Sequence, residues 1–136
     1  MFKNFLILKY VVSFSLPFIF LYSIYIQLNG DISPGGGFQG GIIFSTAVVG
    51  YDFIKNIKLT DSFLDAFIFL SISGFFIILT ISTLPLILGA NFMEYSVLAK
   101  NSHLGQHLGI FFFELGVGIT VSSVISMLYF LIKSNK

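Results

Sequence analysis

Ser33-Pro34-Gly35-Gly36-Gly37-Phe38-Gln39-Gly40-Gly41 interrupts an otherwise apolar chain, with long apolar runs on both sides. Five of its nine residues are glycine. Glycine tolerates positive φ and lets another backbone come close, whereas proline fixes φ and offers no N–H, which suits the first turn of a helix. The stretch therefore predicts a short shaped loop that feeds directly into a tightly packed helix. Gly35, Gly37 and Gly40 also match the spacing of a dinucleotide-binding fingerprint. That reading fails, because no Val/Ile-rich strand precedes the glycines and no βαβ unit has room here.

The flanks decide the class. Of 136 residues, 56% are hydrophobic and 10% charged, where a soluble domain carries about 25% charged residues. The mean hydropathy is +0.97. Apolar runs at residues 10–28, 38–54, 63–88 and 107–132 are each compatible with a membrane-crossing helix of roughly 20 residues. The expected fold is all-α: an integral membrane bundle of four transmembrane helices, with residues 1–136 forming one multi-span domain. The first run passes Pro17 and continues to Leu28, too long for the apolar core of a cleavable signal. A net charge of +1 implies no nucleic-acid partner. The absence of cysteine excludes a disulfide framework and thiolate chemistry.

Lysine placement orients the chain. Two lysines precede the first run, two lie between the second and third, and two follow the fourth. The first connection carries none and the third only Lys100. Positive charge gathers on the cytoplasmic side, so both termini are expected there. The Gly-rich loop and the connection at 90–106 then face outward together. In that connection Phe92, Met93 and Tyr95 predict a segment lying on the membrane surface or on a partner.

Gly37, Gly41 and Ser45 recur every four residues, as do Gly36 and Gly40. Such spacing lets helices touch backbone to backbone in lipid. Asp52, three residues before Lys55, reads as half of a solvated interfacial pair. Ser62-Phe63-Leu64-Asp65 reads as a capping box opening the third helix.

At about 100° per residue, His103, His107 and Glu114 share one side of the last helix to within about 40°. Gly105, Gly109, Gly116 and Ser123 lie nearly opposite and form a second packing seam. Inserting a charge near a helix centre costs about 2.5–3.5 kcal/mol, so Glu114 should face protein or water. Three roles stay open for it: a neutral buried acid, a hydrogen-bonded anchor, or a lining group of an ion or proton path. His103 and His107 have the i, i+4 spacing of zinc pairs, but Leu104-Gly105-Gln106 between them holds no glutamate. Neither a metal nor another cofactor is expected, and no nucleophile with its base makes a catalytic site.

Pro34-Gly35-Gly36-Gly37-Phe38-Gln39-Gly40-Gly41 after a first span resembles the B subunit of Mrp-type multisubunit sodium/proton antiporters. Phe112-Phe113-Glu114-Leu115-Gly116-Val117-Gly118-Ile119-Thr120 is similar to that family's last helix. Glu114 stands where the family more often has aspartate. The resemblance implies a small accessory subunit, needed for assembly, in a multi-pass position in a bacterial cell (inner) membrane. Its implied partners are the other membrane subunits and the lipid bilayer, with sodium and protons moved by the complex. The motif alone does not separate this from the equivalent subunit of a membrane-bound hydrogenase or complex I-like assembly. A stand-alone small transporter and a pure scaffold are the rivals read from the residues alone.

Overall fold

The computed structural model describes residues 2–30, 35–57 and 60–134, without the side chains of 2–5 and 61. Pro34, with the rest of 31–34, and Lys58 lie outside the described residues. Four α-helices make up nearly all of the rest: α1 (Phe2–Leu28), α2 (Gly37–Lys55), α3 (Asp61–Ile87) and α4 (Ser102–Ser134). A short 3-10 helix, Tyr95–Leu98, lies between α3 and α4.

Three of the helices are long and apolar enough to cross a membrane: α1 from Leu6, α3 from Ser62, and α4 over its whole length. α1 and α3 are apolar on every side, the pattern of a helix set in lipid rather than half-buried on a water-facing core. Large side chains accordingly point outward: Phe14 is 74% exposed and Phe69 72%. Pro17 lies inside α1, which continues unbroken through it, and Pro85 sits in the last turn of α3.

The helices pack in the spatial order α1, α2, α4, α3, with α1 and α4 meeting at a few points. Glycines on two sides of α4 explain its inner place. Towards α3, Gly116 lies where a Cβ would press on Ile78 and on the carbonyl of Gly74. Towards α2, a Cβ on Gly41 would come 2.9 Å from the Gly118 carbonyl. At the far end of the α3–α4 pair, Phe130 is fully buried, edge-on to Phe63 and stacked on Phe67.

Two local expectations are corrected. The third helix starts at Asp61 with extended Thr60 before it and no side-chain cap bond. Ser62 falls inside the first turn, so Ser62–Asp65 does not form a capping box. The connection before α4 does not simply lie on a surface. The Met93 amide donates to the Ser82 carbonyl at 3.3 Å, and Tyr95 is buried between that part of α3 and Gly109 of α4. Burial pushes the Tyr95 phenol above its ordinary pKa, partly offset by the neighbouring Ser82 hydroxyl. That hydroxyl already donates to the Ile78 carbonyl at 2.7 Å, and no hydrogen bond of good geometry reaches the Tyr95 oxygen.

Candidate functional site: the Gly-rich corner and Glu114

The glycine-rich stretch and Glu114, far apart in sequence, form one corner. Gly36 precedes α2 with φ 82 and ψ −166 and supplies no side chain to cap it. A side chain there would be strained by that φ, and its Cβ would stand 2.6 Å from Glu114 Oε1. Gly30, just beyond α1, faces the other carboxylate oxygen of Glu114. Gly37 presses on the main-chain carbonyl of Glu114, which also accepts a 2.9 Å hydrogen bond from Gln27 Nε2. One residue of α4 thus meets the end of α1 and the start of α2 together.

The chemistry follows from position. The first amides of a helix lack intrahelical partners and carry partial positive charge. α2 has neither a side-chain cap nor an acidic residue in its first turn. The Glu114 carboxylate arrives at that end from another helix, where an anion is favoured. Gln27 tightens the same junction, its amide lying in a slot walled by Gly40 and Gly118.

Of the other expected site residues, Gly41 and Gly37 face α4, Gly40 faces Gln27, and Gly35 faces Ile26. Phe38 is 58% exposed and takes no part in the corner. His103 and His107 are exposed near the start of α4. Helical rise alone sets His107 about 10 Å from Glu114 along the axis. His103 instead borders a surface hollow of about 620 Å³ with Asn91, Glu94 and Gln106. Its amide donates to Asn101 Oδ1 at 3.1 Å, so Asn101 caps α4. The Asn91 amide N–H and, next, the Asn91 side chain donate to Glu94 and hold its carboxyl below the usual range. No three metal-ligating side chains converge among the described residues.

A second acid overturns its sequence reading. Asp52 is 2% exposed and pairs with Lys133 of α4, not Lys55. Lys133 Nζ donates to both carboxylate oxygens, at 2.8 and 2.9 Å, and to the Ile57 carbonyl at 3.1 Å. The Tyr129 hydroxyl donates to Asp52 Oδ2 at 2.7 Å and the Ile57 amide to Oδ1 at 2.8 Å. The seam of Gly37, Gly41 and Ser45, continued two turns along α2, arrives at Asp52; that signal was present in the sequence. Proximity to Lys55 masked it.

The chain matches, over residues 7–127, a family described as a domain related to the MnhB subunit of the Na+/H+ antiporter. It is 30% identical over 127 residues to an antiporter subunit mnhB2 of Staphylococcus aureus (strain Newman), covering 90% of each chain. It is 27% identical over 118 residues to the B subunit of a Na(+)/H(+) antiporter of Bacillus subtilis (strain 168), covering 79% of this chain and 82% of the relative. No solved structure matches it.

Proposed function

Since the chain belongs to the MnhB family and is a subunit of a multisubunit Na+/H+ antiporter, we propose that it is an accessory subunit that serves assembly. On this reading it crosses a bacterial inner membrane four times with both termini in the cytoplasm, as one multi-span domain. Its neighbours are the complex's other membrane subunits, which carry out the exchange of sodium for protons. The hydrogenase-like alternative is not favoured, because the named relatives are antiporter subunits.

One observation carries the accessory role. The Glu114 carboxylate is hemmed in by Gly30 and Gly36 at the junction of three helices. Glu114 is half-buried there, and a carboxylate set against the uncapped start of a neighbouring helix fastens the two together. α2 joins as the fourth span because its 19 residues, at about 1.5 Å each, reach about 28 Å of a hydrocarbon layer about 30 Å thick.

Glu114→Gln tests the role. Glutamine keeps the shape and most hydrogen bonds but cannot titrate. The variant complex should co-purify intact and exchange sodium for protons with an unchanged pH profile. An intact glutamine complex that has lost exchange would make Glu114 a pathway residue and sink the anchor reading.

A further inference from the structure

α2 and α4 run parallel in a fixed register. The Ser45 hydroxyl reaches the Ser122 carbonyl and Asp52 meets Tyr129, each pair 77 residues apart. Gly37 against Glu114 and Gly41 against Gly118 keep the same step. Along this contact α4 presents opposite charges to the two ends of α2. Glu114 stands at its N-terminus and Lys133 at its C-terminus, each sign matching the helix dipole. α2 is also the helix that is not among the three long apolar ones, and it carries a carboxylate into its packed face. We infer that α4 holds α2 in place at both ends, and that Asp52 and Lys133 form a charge-matched clasp closing the second end.

The clasp is unequal by burial. The Asp52 side chain is 2% exposed and that of Lys133 33%. Removing the lysine strands a buried carboxylate, which is strongly unfavourable, whereas removing the acid leaves a lysine able to turn its flexible stem towards water. Removing both charges together leaves neither stranded. The three variants should therefore rank in an order that loss of packing alone does not produce.

The chain contains no cysteine, and Ser45, 1% exposed, lies within the α2–α4 contact. Ser45→Cys supplies a unique thiol on this chain that reports when the two helices part. In the detergent-solubilised complex, maleimide labelling of that thiol should stay low with Asp52→Asn and rise several-fold with Lys133→Gln. The double variant Asp52→Asn/Lys133→Gln should restore protection. If Lys133→Gln leaves no chain to label, the double variant should still accumulate to the wild-type level. Equal behaviour of Lys133→Gln and the double variant, whether both protected, both labelled or both lost, overturns the clasp. So does opening by Asp52→Asn as large as that by Lys133→Gln.

Discussion

Gly37 has no room for a methyl group: its Cβ would overlap the main chain of Glu114, which cannot move without shifting α4. Overpacking of this kind costs about 1–3 kcal/mol. Gly37→Ala should therefore lower the melting temperature of the complex and reduce co-purification of this chain. Gly89→Ala is the internal control, because nothing lies within 4 Å of its Cβ. Its φ of 82 makes the alanine locally strained, so any loss there should come without loss of partners. Glu94 yields a pH prediction. Its carboxyl is held below the ordinary 4.5 by the Asn91 amide and side chain. The folded form of the loop is thus favoured by this group above about pH 4.5, and that contribution fades as pH falls through the lowered value. The Asn91 amide NMR signal should titrate with a midpoint below 4.5 and should stop titrating in Glu94→Gln. A midpoint at or above 4.5 would contradict the hydrogen bonds described.

Among the elements, α2 shows what a sequence can and cannot disclose. Its seam of Gly37, Gly41 and Ser45 was legible, because small residues at every fourth position have few other uses in lipid. The neighbour was not legible: no local pattern says that the seam meets α4 with a separation of 77 residues. The same gap hid the corner. The glycines and Glu114 were each conspicuous, but only packing brings the carboxylate to the uncapped start of α2. Asp52 was misassigned because a charge at a helix end beside Lys55 resembles any solvated pair, and its true partner lies 81 residues on. The second seam was half right. Gly116 meets α3 as a helix neighbour, but Gly105 and Gly109 receive the Tyr95 segment. Orientation is tested on the connections between elements. Asn56 and Lys100 are exposed positions in connections expected on opposite sides. In intact cells an impermeant thiol reagent should label Lys100→Cys and spare Asn56→Cys. The reverse pattern would invert the topology derived from the lysines.

At the scale of the molecule, the helices form a row in which α2 and α4 lie inside while α1 and α3 flank them. α1 keeps Tyr10, Phe14, Leu21 and Tyr25 outward, each more than half exposed, a face made for lipid or for another subunit rather than for its own chain. Asp52, buried, and Glu114, half-buried, both lie on the inner pair of helices and both are met by neighbouring elements. This arrangement suits a piece that holds neighbouring helices together. The most direct measurement compares sodium/proton exchange in two sets of vesicles. One holds the complex drawn from native membranes on an affinity tag carried by this chain, and the other holds the purified chain alone. The account predicts exchange by the tagged complex, loss of exchange in membranes lacking this chain, and none by the chain alone. Robust exchange by the purified chain would contradict it.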